Sequence, residues 1–323
     1  MQHVILSTYG EPPAARFADQ LRYSWRILLG LTRTVAPIPK PVLPLIALNR
    51  ARTRVAMWRR EGYVSPLEPI TQAQRDELQQ ALDRAAPGQW RVHVAYEFRD
   101  PTLAAVVNAL PGEEAVAVVP MYAVDSAFTH QLARDATARL DRRAAPIVVV
   151  PPLDIQQQAT LHVGHIRREV ARLAGVRPSD AALVLAAHGT LVEPPRPYQT
   201  GERETRALAA RITQLLAGEF AAATLGWLNH RYGGTWTSPA MDEALKALRA
   251  EGFREVVYYP FGFLADNAES ELEGRLALRA AGFSRAAHLP CLNDSDALAT
   301  ALMGAVLTAT GDGTARETLT SRA

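Results

Sequence analysis

Short runs of apolar and β-branched residues alternate along the chain with longer stretches of helical spacing. The runs at 3–8, 91–96, 114–120 and 146–150 form one series, and those at 182–187, 221–227, 254–260 and 285–290 a second. None shows the apolar–polar alternation of a half-exposed strand, so each is predicted to be buried on both faces of a parallel sheet. Between them the spacing predicts helices over 72–86, 126–143, 155–174, 202–217, 239–250, 268–281 and 294–307. Strands and helices taking turns through two halves predict an α/β chain of two similar doubly wound parallel-sheet domains, with a ligand cleft between them. The switch between the series falls near 150–180, giving domains at 1–155 and 156–310 and a polar, aperiodic tail at 311–323 that is expected to fray.

One segment breaks this rhythm. Residues 34–46 (TVAPIPKPVLPLI) set four prolines among apolar side chains. Each proline removes a donor and fixes its own φ, so no regular helix is expected there. A lip at a ligand mouth, a linker or a membrane-touching loop would fit.

Composition narrows the possibilities. A chain of 323 residues, 48% hydrophobic and 21% charged, has apolar material for two cores. Net charge is only +2, which argues against a general nucleic-acid binder. Arg50, Arg52, Arg54, Arg59 and Arg60 nevertheless cluster. A solvated helix face is the simpler reading, and a rim for an acidic ligand the sharper one. The single cysteine, Cys291, excludes an internal disulfide and any cluster held by several thiolates, and is expected to pack as a small hydrophobe. No apolar stretch reaches the ~18 residues that span a bilayer. With no signal-peptide pattern at the start, a cytoplasmic protein is expected.

In open α/β sheets ligands bind beyond the carboxyl ends of the strands, and four such ends carry chemistry. Tyr9-Gly10-Glu11 follows the first run and also fits an ordinary turn. Tyr122, Ser126 and Thr129 follow the third, as ligand contacts or as helix caps. His188-Gly189 follows 182–187; a lone strand-end histidine is more often structural, yet neutral imidazole suits Fe2+ and proton transfer. Last come Asp266, Glu269 and Glu273. Asp266 and Glu269 are spaced as N-cap and N3 of a capping box, while Glu269 and Glu273 share a helix face that is either solvated or turned to a cation. No G-x-G-x-x-G or P-loop pattern occurs, so nucleotide binding loses its main support.

In order, STYGEP (7–12), EGYVSPLEPITQAQ (61–74), PMYAVDSAFT (120–129), AAHGTLVEPPRPYQTGE (186–202), RYGGTWTSP (231–239), PFGFLADNAESELE (260–273) and LPCLND (289–294) resemble the ferrochelatase family across nearly the whole chain. The resemblance implies two Rossmann-like domains and a haem-biosynthetic lyase that inserts Fe2+ into a porphyrin. It makes His188 the metal-binding histidine and Glu269 its opposing carboxylate, and both catalytic. Tyr9, Arg26, Ser65, Tyr122 and Ser126 would bind the porphyrin, and Glu273 would relay protons or metal. The sequence departs from the family at Asn267, where histidine is usual. It departs again at Thr237-Ser238 after Trp236, and at Asn229-His230, where a polar Gln/Ser pair is usual.

The expected mechanism sets His188 and Glu269 face to face across the ring centre, with 34–46 over one ring face and Arg26 on propionates. Iron is then a substrate, no tightly bound cofactor or iron–sulfur cluster is needed, and coproporphyrin III is favoured over protoporphyrin IX. Other readings are a cobalt or nickel chelatase of another tetrapyrrole, a noncatalytic porphyrin- or haem-binding protein, and a two-domain exported ligand binder, which the missing signal pattern disfavours.

Overall fold

A computed structural model describes residues 1–34, 39–140, 144–193, 197–230 and 234–311. Eight strands form two four-stranded sheets, both wholly parallel. The first contains β1 (Gln2–Thr8), β2 (Trp90–Tyr96), β3 (Val116–Pro120) and β4 (Ile147–Val149), in the order β2-β1-β3-β4. The second contains β5 (Ala182–His188), β6 (Ala222–Leu228), β7 (Glu255–Tyr259) and β8 (Arg285–His288), in the order β6-β5-β7-β8. The topology of one sheet is repeated in the other, and each reverses direction of winding beside its first strand.

The continuous apolar runs of the central strands β1, β3, β5 and β7 arise because these strands are covered on both sides, whereas the outer strands keep exposed or half-buried positions. In β5, Leu183, Leu185 and Ala187 face a core with α6 (Ile155–Ala171) and α7 (Glu202–Leu215), while Ala182, Val184 and Ala186 face α8 (Met241–Ala250) and α9 (Gly274–Ala281). In the first sheet, Val4 and Leu6 meet α3 (Leu67–Ala85) and α10 (Asp296–Thr310), and Ile5 meets α4 (Leu103–Asn108) and α5 (His130–Thr137). The closing helix thus returns to the first sheet. A division by packing assigns 296–310 to the first core rather than to the unit read from the sequence as 156–310.

Two long helices lie outside the strand–helix alternation. These are α1 (Phe17–Thr34) and α2 (Leu43–Arg60), which pack on each other through Leu28, Leu43 and Ala47. The expectation of an irregular 34–46 is corrected over its second half. Residues 43–46 are the first turn of α2, and Pro44 falls in the opening positions where a missing N–H costs nothing. Lys40–Val42 form one 3-10 turn, and 35–38 lie outside the described residues. Val42, Leu45 and Ile46 are exposed at this hairpin end. The expected tail is likewise outside the described residues beyond Gly311. No helix among the described residues is long and apolar enough to cross a membrane.

Candidate active site

His188 is the last residue of β5, at the point where the second sheet reverses its winding between β5 and β7. Its apolar strand is fully packed, and the ring emerges at the carboxyl edge with half its side-chain surface open (50%). The next residue must be small. A Cβ on Gly189 would lie 1.8 Å from Asn229 Oδ1, so only glycine lets the ends of β5 and β6 approach so closely.

Glu269 reaches this ring from the segment after β7. His188 Nδ1 lies 2.6 Å from Glu269 Oε1. Burial opposes charge on the imidazole, but the charge and hydrogen bond of Glu269 outweigh it and raise the histidine's pKa. Burial likewise opposes ionisation of Glu269, and His188 overcomes it to hold the carboxyl below its ordinary value. Each thus favours the charged form of the other across a 2.6 Å contact. The expectation of opposition across a ring-sized slot is therefore corrected: both groups stand on one wall, in contact, with no space for a ring between them.

Ala268–Glu273 is a π-helical segment, a form that recurs at functional sites. Its cap also corrects the expected one. Asn267, not Asp266, is the N-cap; its Oδ1 accepts from Glu269 N (2.9 Å) and Ser270 N (3.1 Å). Asp266 cannot cap, because its carboxylate accepts from Cys291 N (3.0 Å) and Asn293 Nδ2 (2.7 Å) and pins the loop before the segment. Glu273 lies one turn beyond Glu269. Burial, and then repulsion from Glu269, push its pKa up to about 7.

The first domain supplies further groups within electrostatic reach of Glu269. Tyr9 follows β1, where Gly10 at φ +75° turns the chain tightly against Tyr96. Burial, then Glu11, raise the Tyr9 phenol well above its ordinary value, and Glu269 adds to the rise. Beneath it, the buried Glu11 ties three segments together. It accepts from Arg54 Nη2 (2.8 Å), Ser65 Oγ (2.6 Å) and the backbone N–H of Ala268 (3.0 Å). Ser65 is only 3% exposed, so its hydroxyl serves Glu11 rather than the cleft surface.

The arginine cluster divides. Arg52, Arg59 and Arg60 are exposed, as a solvated face requires, but Arg50 and Arg54 turn inward. Arg54 stacks 5.6 Å from the Tyr23 ring and 5.1 Å from that of Trp58, and Arg50 feels Glu273 and Glu269. Arg26, on α1, pairs with Asp100 (3.1 Å) at the exposed rim. Ser126 is buried and its hydroxyl accepts from Phe128 N (3.2 Å), a turn-forming use. Tyr122 donates to Glu97 Oε2 (2.9 Å), and burial pushes Glu97 up to about 8. Glu97, just past the end of β2, escaped the sequence reading, although the strand-end rule that exposed His188 applies to it equally.

His230 completes the wall. Its ring stands edge-on to His188 at 5.4 Å and to Trp236 at 5.3 Å. The ring is open to solvent on one side; desolvation by the wall behind it, then His188, lower its pKa to about 4.

This architecture has known counterparts. The pattern of the family described as Ferrochelatase matches residues 2–310. The chain belongs to the ferrochelatase family. A ferrochelatase from Chelativorans sp. (strain BNC1) is 26% identical, covering 91% of this chain and 86% of its own. One from Nitrobacter hamburgensis is 28% identical, covering 77% and 73%. Among solved structures, SirB from Bacillus subtilis with Fe3+ shares the fold at a TM-score of 0.57 and 14% identity, over 97% of each chain. CbiX, described as the terminal enzyme for biosynthesis of siroheme in denitrifying bacteria, does so at 0.55 and 17%, over 96% and 99%. Family membership makes the reaction metal insertion into a porphyrin, with porphyrin and metal ion as the substrates.

Proposed function

We propose that this chain inserts Fe2+ into coproporphyrin III, with His188 and Glu269 as the catalytic pair on one wall of the cleft and Tyr9 on the facing wall. The observation that carries the assignment is the contact of His188 Nδ1 with Glu269 at the switch point of the second sheet. A carboxylate on one nitrogen fixes the ring and leaves Nε2 for a metal or a proton, the usual way a ligating histidine is held.

Insertion consumes one Fe2+ and the neutral macrocycle, and releases two protons from the pyrrole nitrogens. Ring binding between the walls would bend the macrocycle and bare its lone pairs, drawing on contacts with the ring faces and carboxylates. Fe2+ meets His188 Nε2, which must give up its proton as metal arrives. Glu269 favours the cation electrostatically and then receives protons from the ring. Glu273, whose pKa is raised by burial and by Glu269, passes them outward, and Arg50 offsets the negative charge of the pair of glutamates. No electron changes hands, so the protein needs no tightly bound cofactor.

Coproporphyrin III bears four propionates, whereas protoporphyrin IX has two, with vinyls in place of the others. Support for the tetracarboxylate comes from arginines of the α1–α2 hairpin: Arg50 lies within electrostatic reach of Glu269 and Glu273, and Arg26, paired with Asp100 at the rim, would exchange that partner for a propionate. Tyr122 would approach the ring edge, and Ser65 and Ser126 would act through the residues they hold. Anaerobic insertion assays with each porphyrin test this. Wild type is expected to prefer coproporphyrin III in kcat/KM, and His188→Ala and Glu269→Gln to fall at least about a hundredfold, the scale of a lost proton-transfer group. Near-wild-type rates in both variants overturn the site, and a preference for protoporphyrin IX overturns the substrate.

A further inference from the structure

The end of β6 carries a side chain that the reaction as described leaves unused. His188 pairs with Leu228 in the parallel register of β5 and β6, and His230 follows two residues later. The two imidazoles therefore rise from adjacent strand ends, 5.4 Å between ring centres and 71° between planes. We propose that His230 and Nε2 of His188 form a two-imidazole receiving site for the incoming divalent ion, which holds it before transfer to the ring.

The spacing suits this use. Imidazoles bind a divalent ion at about 2.1 Å, and a ring centre lies roughly 1.1 Å behind its nitrogen, so two rings on one ion sit roughly 4.5–5.5 Å apart. The observed separation falls within that range. His188 spends Nδ1 on Glu269, which leaves Nε2. His230 makes ring contacts with His188 and Trp236, and its nitrogens have no hydrogen-bond partner among the described residues. Its neighbour Asn229 is not equivalent. Its amide is bound to Thr237 by Nδ2 to the carbonyl (2.7 Å) and by Oδ1 to Oγ1 (3.2 Å).

Weakness is part of the design. Among the described residues no three His, Cys, Asp or Glu side chains are grouped to hold a metal ion. Two imidazole nitrogens, that of His188 once its Nε2 proton has left, with water in the remaining positions would bind a borderline ion such as Fe2+, Co2+ or Zn2+ loosely enough to surrender it to four pyrrole nitrogens.

The inference rests on the chelatase reading, and the test separates the two. Co2+ is titrated into the porphyrin-free protein and followed by its visible absorption and by calorimetry, for wild type, His230→Ala, His230→Gln and His188→Ala. Metal and porphyrin KM are measured in parallel. His230→Ala and His230→Gln are expected to weaken Co2+ binding and raise the metal KM by at least about tenfold, the lower end of what even an outer-shell change costs. Porphyrin KM should stay within about twofold, which also shows that the variants fold. Unchanged Co2+ affinity in both His230 variants, in a wild type that metallates porphyrin, overturns the receiving site alone. A wild type that binds Co2+ through His230 but metallates no porphyrin overturns the chelatase reading and leaves the site standing.

Discussion

Glu97 shows how the surroundings of a single side chain set its chemistry. Tyr122 donates to one carboxylate oxygen, and the other is sealed from water without a partner. No cation among the described residues compensates, so burial dominates and pushes the group up to about 8. In the unfolded chain a glutamate titrates at about 4.3. Between those values the folded state holds a proton that the unfolded state has lost, so this group's contribution to stability declines as pH rises through that window. Replacing it with the neutral amide removes the decline. Glu97→Gln is expected to match wild type in thermal stability near pH 5 and to exceed it near pH 9, by at most a few kcal/mol. Melting curves across that range check the sign, and a constant difference between the two proteins would refute an ionising, uncompensated carboxyl at this place.

Among the elements, the π-helical segment carries most of the site, and its cap sets where Glu269 points. Asn267 Oδ1 holds the backbone N–H of Glu269 itself, so losing the cap should disturb both fold and reaction. Asn267→Ala is expected to cost about 1 kcal/mol of stability, as other N-cap losses do. Metal insertion should fall by a larger factor than that cost alone implies, and denaturation and kinetics on one sample compare the two. An intact rate in a destabilised protein would make the cap purely structural. The elements differed in how plainly the sequence announced them. All eight strands were legible; for the central β1, β3, β5 and β7, burial on both faces leaves an unbroken apolar run, and the outer strands followed from the repeated strand–helix rhythm. The helix α1 was not, and α2 only through the helix face read for Arg50–Arg60, because they pack on each other and prolines at their junction look like helix breakers. His188 was legible from its place after a strand. The partners of Glu11 were not, since Arg54 and Ala268 lie 43 and 257 positions away and no local spacing encodes either contact. The capping pattern at Asp266 misled for a related reason: a distant loop had already claimed that carboxylate.

At the scale of the molecule, the two halves are built alike but tied together repeatedly. Gln74, on α3, donates to the carbonyls of Leu264 (3.1 Å), in the loop after β7, and Asn293 (3.0 Å), in the loop after β8. Trp58 and Tyr63 pack on Ala268 and Leu272 of the π-helical segment, and Arg279 pairs with Glu61 at 2.6 Å. Most decisively, α10 crosses back to bury Leu298, Leu302 and Val306 against Val4, Leu6, Leu78 and Leu82. The last helix in the chain therefore completes the core of the first sheet, and the first sheet cannot keep that core if the second half lets go. Leu298 is 1% exposed within this cluster. Leu298→Ala removes its contacts and opens a cavity, at an expected cost of about 2–5 kcal/mol. If the halves were independent, calorimetry would show the first domain melting early and the second unmoved. With the chain crossing between them at α6 and again at α10, a single transition displaced as a whole to lower temperature is expected. Insertion activity should vanish along that same transition, because Tyr9 and the His188–Glu269 pair come from different halves of the chain and are held together by these ties and by the bond from Ala268 N–H to Glu11.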